Sequence, residues 1–412
     1  MSKRHSAIVF ALEMVCCGLH ASAEDRTVAP AKVDCLCVYY PHWHVYPKGN
    51  EWFHEGWTEW EYVKTAIPRF PGHRQPIVPL MGYLDGASPA DVAREIDLAA
   101  DAGIDAFLYD YYWYDGKVTQ EESIERGFLR APNKARMKFA LMWCYHERRY
   151  AWRIRPDEKP RILMSLAHTE EEFLGLIDHA INRYFPCPEY YRKDGKLFFS
   201  IYDAPYFYLK RGSDPDKVRA QLERARAHVR SAGLGELHIN GQGVDPHLAD
   251  KLAKCGFDSF THYNPDRWAV SRRNSEQGRD PLLLDYAEVM AENRVRWAKM
   301  SKAPLPYIPN VSTGWDSTPR CRLDEPYPWK EITYPYLWTV TNNTPEIFRR
   351  ELAAARRFVE TDPKRPGIVY VNGWNEYTEG TYLVPDNLNG RGFLDAVKSV
   401  FAEPSKTEGA MR

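Results

Sequence analysis

Short runs of β-branched and aromatic residues alternate with amphipathic, helix-period segments along nearly the whole chain. The apolar runs CLCVYYP (35–41), DAFLYDYYW (105–113), KFALMWCYH (138–146), LFFSIYD (197–203), LHINGQG (236–242), FDSFTHYN (257–264), LPYIPNV (305–311) and GIVYVNGW (367–374) predict eight strands. Between them, residues 88–103, 169–185, 214–233 and 344–363 carry apolar positions at helical spacing. Ser88, Thr169 and Thr344 stand where helix N-caps are expected, and several of these segments close at Gly or before Pro. Strand followed by helix, repeated eight times, is the pattern of an α/β chain folded as a single (β/α)8 TIM barrel. The rival is a doubly wound sheet, but no G-x-G-x-x-G follows a strand and no linker or shift of composition divides the chain. Three connections are long, 42–87, 265–304 and 312–343, and rich in Trp, Tyr, Pro and Gly. Loops that follow barrel strands build the catalytic face, so long aromatic-rich βα loops predict an extended cleft there.

Composition changes this picture only in part. At 412 residues, with 44% hydrophobic and 27% charged side chains, the chain has the makings of a packed core. A net charge of −1, with no dense Lys/Arg block, leaves no footprint for nucleic acid or an anionic membrane and points to a neutral partner. The 13 Trp and 26 Tyr exceed what the core needs to fill volume; flat amphipathic rings suit stacking on sugars, and they also simply pack.

The first residues read as a secretory signal spanning 1–23: Lys3 and Arg4, an apolar stretch from Ala7 to Leu19 interrupted by Glu13, then Ala21-Ser22-Ala23 as a cleavage site. A secreted or periplasmic catalytic domain over 24–403 would follow, with a disordered tail at 404–412. No later apolar run approaches 18 residues, so no membrane span is expected in the mature chain. Cys16 and Cys17 would leave with the signal; Cys35, Cys37, Cys144, Cys187, Cys255 and Cys321 are scattered, without a CxxC pair, and read as small buried hydrophobes. Nothing in the sequence sets an oligomeric state.

Polar residues gather at the carboxyl ends of the predicted strands: His42 and His44; Asp110, Tyr112 and Trp113; Tyr145, His146, Glu147 and Arg148; Asp203; Asn240; His262, Tyr263 and Asn264; Asn310; and Asn372, Trp374, Asn375 and Glu376. Their collection at one end of a barrel marks a candidate active site. In GWNEYTEG, Glu376 falls at the tip of the eighth strand and Glu379 in the loop beyond. Glycosidic cleavage commonly uses one protonated carboxyl and one ionised carboxylate, and a spacing of three across a turn can aim both inward. A solvated Glu379 on an acidic turn is the plainer alternative.

PHWHVYP offers a competing chemistry, because His-x-His after a first barrel strand is how metal-dependent hydrolases begin a ligand set that His262 could extend. Asn240 stands where a further His ligand would be wanted. Sugar-hydroxyl donors or structural histidines are the other readings of His42 and His44. Glu59, in GWTEWEYV beside Trp60, reads equally as a helix start and as an anchor for His44 or a sugar hydroxyl. Asp110 is an acid costly to bury without a partner, and Glu147 and Arg148 have the spacing to pair with each other. No G-x-S-x-G, P-loop or H-E-x-x-H is present.

YYPHWHVYPKGNEWFHEGWTEWEYVKTAIPRFPGHRQPIVPLMGYLD, GIDAFLYDYYWYDGK, DGKLFFSIYD and GWNEYTEGTYLVPD together resemble the WbsX-like group, which is similar to glycoside hydrolase family 99, over roughly residues 35–400. The GWTEW loop and the closing NEYTEG are the most specific pieces. This resemblance implies a (β/α)8 barrel with no required metal and no cofactor, acting on a carbohydrate. Family 99 enzymes are retaining and endo-acting on α-mannosides. Carried over, Glu376 would be base towards the sugar 2-hydroxyl, giving a 1,2-anhydro intermediate, and Glu379 the acid and then base. His44 and the Thr58-Glu59-Trp60 loop match the group's pattern; His42 stands where it usually has Gln, and Asp110 where it usually has an aromatic. Some WbsX-like proteins carry a glycosyltransferase label. The readings carried forward are therefore a secreted glycoside hydrolase, with a glycosyltransferase, a metal-dependent barrel hydrolase and a non-catalytic carbohydrate-binding barrel as alternatives.

Overall fold

Each of the eight apolar runs contains or adjoins a strand of one parallel sheet: β1 (Asp34–Tyr39), β2 (Ala106–Tyr114), β3 (Lys138–Cys144), β4 (Lys196–Tyr202), β5 (Leu237–Gly241), β6 (Ser259–Phe260), β7 (Asn310–Ser312) and β8 (Ile368–Asn372). The computed structural model describes residues 32–402, so the leader 1–23 and the tail 404–412 lie outside the described residues. Neighbours run in the order β6-β5-β4-β3-β2-β1-β8-β7, with β1 lying between β8 (Asp34 opposite Ile368) and β2 (Leu36 opposite Ala106). The ring closes through a single parallel bridge between Phe260 and Tyr307, where Phe260 N–H donates to Pro306 O at 2.9 Å and Ile308 N–H to Phe260 O at 2.8 Å. The seventh strand is the irregular one because Pro306 and Pro309 supply no N–H to a ladder. The result is the (β/α)8 barrel that the alternation predicts.

The four anticipated helices form as α1 (Pro89–Asp101), α2 (Glu170–Arg183), α3 (Pro215–Ser231) and α6 (Pro345–Glu360). Ser88, Thr169 and Thr344 do cap them, each side chain accepting from a backbone N–H three residues on. Asp214 caps α3 in the same way. On α1 the buried positions are Val92, Glu95, Ile96 and Ala99, the spacing of one helical face. Three further helices complete the outer layer, α4 (Ala249–Ala253), α5 (Tyr286–Met300) and α7 (Gly392–Phe401).

One expected helix does not form. After β2 the chain makes a π-turn at Ser123–Gly127 and 3-10 turns at Phe128–Arg130 and Lys134–Arg136. Gly127 there lies backbone to backbone against Gly86, so close that a Cβ would fall 2.3 Å from Gly86 O.

The long loops use their aromatic residues differently from the open cleft they predict. Tyr46, Trp57, Tyr62, Ala151 and Trp152 form a second buried cluster beside the barrel core, and Trp315, Trp329, Tyr336 and Trp338 of the loop after β7 are buried as well. Much of the Trp and Tyr excess therefore packs one loop on another. Among the described residues no helix is long and apolar enough to cross a membrane, and the six cysteines are free, five of them buried.

Glu95 of α1 is buried between β1 and the end of β8, accepting from Tyr39 Oη–H at 2.8 Å and Trp374 Nε1–H at 3.0 Å. Burial raises its pKa to about 7. The folded state thus holds this proton more tightly than the unfolded state, so the group's favourable contribution is full below the ordinary glutamate range and declines as pH rises through 7. Glu95→Gln imitates the protonated form; its melting temperature should match the parent near pH 4.5 and exceed it at pH 8, and parallel curves across that range would contradict this.

Candidate active site

The sequence NEYTEG folds back on itself directly after β8. Asn375–Glu376 pair antiparallel with Thr381–Tyr382, and a 3-10 turn, Tyr377–Glu379, joins them. Gly380 closes the turn at φ 68°, and a Cβ there would lie 2.8 Å from Asp316 N, so the close approach of the loop after β7 requires glycine. Neither glutamate is on β8 itself, which ends at Asn372, yet both carboxyls reach the same cavity.

That cavity, about 450 Å³, opens at the carboxyl ends of the strands and is bordered by Asp110 and Tyr112 of β2, His146 beyond β3, Tyr202 and Asp203 at β4, Tyr263 beyond β6, and Glu376 and Glu379. A second cavity of about 340 Å³ shares His146, Glu147, Arg149 and Asp203 with it, which extends the depression along the face of the barrel.

Arg320, from the loop after β7, organises the carboxylates. It is buried and donates through Nε and Nη2 to Glu59 Oε1 at 2.9 and 2.7 Å, through Nη2 to Tyr40 Oη at 3.1 Å, and through Nη1 to Glu379 Oε1 and Tyr334 Oη. Its Nη2 also lies 3.5 Å from Glu376 Oε1. Tyr334 Oη–H donates to Glu379 Oε1 at 2.8 Å, and Tyr263 Oη–H to Glu376 Oε2 at 2.8 Å.

Burial, together with the charges of Glu379 and Asp110, holds the Glu376 carboxyl well above the usual carboxylate range, against the opposing pull of Arg320. Asp110 is raised too, by burial and then by Glu379, and its Oδ1 has no hydrogen-bond partner in the described structure. The site thus offers an ion-paired glutamate beside two carboxyls that favour the protonated form.

Of the residues singled out from the sequence, Asp110, Tyr112, His146, Glu147, Arg148, Asp203, Tyr263, Asn264, Glu376 and Glu379 border the cavity. His42 and Glu59 lie just behind it. Glu59 anchors Arg320, Tyr40 and Thr378 rather than His44. His42 stacks on Tyr40 at 4.4 Å and accepts at Nδ1 from Arg148 Nη2 at 3.1 Å. Burial, Arg148 and Arg320 push its pKa well down, so the neutral ring's contact with Glu59 is not an ion pair.

The remainder point elsewhere. Trp113, adjacent to Tyr112 on the strand, faces outward and donates to Glu172 O at 3.1 Å. Tyr145 turns out to His168 and Arg211. His44 meets Glu122 at 3.3 Å and Trp60 donates to Leu84 O. Asn240 bonds Ser200 and Ser259 inside the barrel. His262 is held by Asn293 and Tyr307, outside the cavity, and Asn310 donates to the carbonyls of His262 and Tyr263. Trp374 reaches Glu95, and Asn375 Oδ1 accepts from Tyr40 N–H.

Two pairings differ from expectation. Glu147 bonds Arg149 at 2.7 Å rather than Arg148, whose guanidinium lies among the rings of Tyr112, Trp52 and Trp152. The metal-ligand set anticipated from His42, His44 and His262 is not assembled: no group of three or more His, Cys, Asp or Glu among the described residues could hold a metal ion.

Tyr40, Trp152, Arg267, Trp315, Arg320 and Tyr334 border the cavity without having been singled out. Choosing Arg320 depends on how the loop after β7 folds back, which local pattern does not encode.

A (β/α)8 barrel with a carboxylate-lined cavity at the carboxyl face of its strands is the class these features define. The chain belongs to the family described as Glycosyltransferase WbsX, whose model matches residues 35–397. It is similar to WxcX of Xanthomonas campestris pv. campestris, an uncharacterized protein, with 28% identity over 384 residues in one strain and over 371 in another. These matches cover 90% and 88% of this chain and 50% and 49% of the relatives, so the chain spans about half the length of the curated relatives it matches. Two structures of the GH99 endo-alpha-mannosidase from Bacteroides thetaiotaomicron share the fold at TM-scores of 0.55 and 0.54, with 15% identity over 89% of this chain and 95% of theirs. A solved glycoside hydrolase-like protein aligns at a TM-score of 0.58, with 17% identity over 90% and 95% of the two chains.

Removing one partner of a buried ion pair leaves an uncompensated charge and costs about 3–5 kcal/mol. Arg320→Met should lower unfolding stability in urea by about that amount at pH 7, and by much less at pH 4, where the stranded carboxyls take up protons. An equal loss at both pH values would show that packing, not charge, sets the effect.

Proposed function

We propose that this protein hydrolyses a glycosidic bond within a glycan, with Glu376 and Glu379 as the reacting carboxyls. The observation that carries the reading is that two glutamates three residues apart bring their carboxyls into one cavity beside a shared arginine. The fold shared with family 99 structures supports it. The adjoining cavity gives room for more than one sugar ring.

The roles follow the family resemblance. Glu376 takes the proton from the sugar 2-hydroxyl as O2 attacks C1, and Glu379 protonates the departing glycosidic oxygen. Glu379 then deprotonates the water that opens the 1,2-anhydro ring at C1, while Glu376 returns its proton to O2. Two inversions at C1 leave its configuration retained. The proton that burial favours on Glu376 must pass to Glu379 before this step, and the carboxylate it leaves is then matched, by a pKa above the ordinary range, to a proton held by a weak acid. Arg320, 3.5 Å from Glu376 Oε1, favours the ionised form from which that base must start. The N-terminal pattern of basic, apolar and small residues supports export, where a polysaccharide substrate would be met.

Substrates with and without an activated leaving group separate the two roles. Glu379→Gln should abolish cleavage of natural glycans yet keep turnover of an aryl glycoside whose leaving group needs no proton, whereas Glu376→Gln should lose both. The reverse pattern would exchange the assignments. Full activity of both variants would remove the carboxyl pair from the chemistry, and sugar transfer dependent on a nucleotide-sugar donor would favour the transferase reading in the family's description.

A further inference from the structure

Four arginines border the catalytic cavity, and they are not equivalent. Arg320 is committed to Glu59 and Glu379, and Arg149 to Glu147. Arg148 donates to His42 and lies among aromatic rings. The side chain of Arg267, at the start of the short helix Trp268–Glu276, makes neither a hydrogen bond nor an ion pair within the described residues.

Its guanidinium carbon stands 3.9 Å from the centre of the Trp315 ring and 5.6 Å from that of Trp338. Its Nη1 is shut off from solvent with no acceptor. The carboxylates of Glu379 and Asp266 act on it from beyond pairing distance, and Asp266 lies 3.6 Å from Arg296 instead. A guanidinium nitrogen shut off from water without an acceptor is costly, and partial burial lowers the pKa of the half-buried group to about 10. Arginine presents a rigid planar fork of donors suited to a planar oxyanion. The next residue, Trp268, leaves its ring 64% exposed, edge-on to Trp338 at 4.6 Å, so an apolar face on which a sugar can stack adjoins the unpartnered cation.

We infer that Arg267 is a specificity-determining residue that receives an anionic substituent of the glycan, the carboxylate of a uronic acid or a sulfate ester, so that the substrate is an acidic polysaccharide. This rests on the glycan-processing reading of the same cavity. The near-zero net charge of the chain pointed to a neutral partner, but it averages over ion pairs in which Arg267 takes no part.

Binding, measured apart from turnover, tests the inference. The full chain carrying Glu379→Gln would be titrated calorimetrically with trisaccharides of equal length: neutral mannose and glucose trimers, glucuronate, galacturonate and mannuronate trimers, a sulfated galactose trimer, and separately UDP. A uronate or sulfated trimer should bind about ten- to a hundredfold more tightly than its neutral counterpart, the range of one charge-assisted contact. The two acidic kinds of trimer identify the substituent. Adding Arg267→Gln should erase that margin while leaving neutral affinity unchanged, and Arg267→Lys should restore part of it. Melting curves confirm that each variant is folded.

Equal affinity for neutral and acidic trimers, no binding of any acidic trimer, or equal weakening of both kinds by Arg267→Gln would overturn the inference. So would Arg267-dependent binding of UDP, which would make the anion a nucleotide diphosphate. Acidic trimers bound but never cleaved by the unsubstituted chain would leave this inference standing and remove the hydrolase reading; neutral glycans bound and cleaved by that chain as well as acidic ones would do the opposite.

Discussion

The buried pair between Arg320 and Glu59 is the interaction on which the candidate site depends. Glu59 comes from the loop after β1 and Arg320 from the loop after β7. Their contact crosses the carboxyl face of the barrel at 2.7 Å with both side chains withdrawn from water. Charges buried in this way are tolerated only when their remaining donors and acceptors are also met. Tyr40, Thr378 and Tyr334 meet them, and each belongs to a different stretch of chain. Satisfying one arginine thereby fixes three loops and leaves one of its nitrogens for Glu379. The geometry of the NEYTEG turn follows from the same constraint, because its backbone must lie against Asp316, four residues before Arg320.

Electrostatics then separates two glutamates that look alike in the sequence. Glu379 accepts from the guanidinium directly, whereas Glu376 meets it only at 3.5 Å and shares its surroundings with the buried Asp110. Burial and the charges of Glu379 and Asp110 hold Glu376 above the ordinary carboxylate range, in a place where water does not screen them and the cation stands farther from it than from Glu379. The aromatic loops help to exclude that water. They act chiefly as packing, with Trp152 over Arg320 at 5.0 Å and Trp315 against Arg267.

Local pattern carried the frame of the molecule. Apolar runs and Ser or Thr caps placed the strands and the four helices, because strand alternation and capping are decided within a few residues. The alternation implies a helix after β2 that no periodic segment supports, and the chain there makes short turns pressed against Gly86, a tertiary contact invisible to periodicity. In the candidate site, Glu376, Glu379, Asp110 and Tyr263 were legible from their position after strands. Trp113 and Tyr145 were not separable from them, since side chains at a strand's end alternate between cavity and helix layer and the phase shifts where the strand turns. Arg320 and Arg267 come from long loops whose course is set by long-range contacts, so neither could be read from local pattern.

In the proposed reaction the carboxyl pair on the NEYTEG turn cleaves a glycosidic bond with retention at C1. Proton NMR of the first product formed during glycan digestion tests this most directly, because the anomeric signal is read before mutarotation. The account predicts that the new reducing end first appears with the anomeric configuration of the bond that was cut. First appearance of the opposite anomer, or a sugar transferred only when a nucleotide donor is supplied, would contradict it.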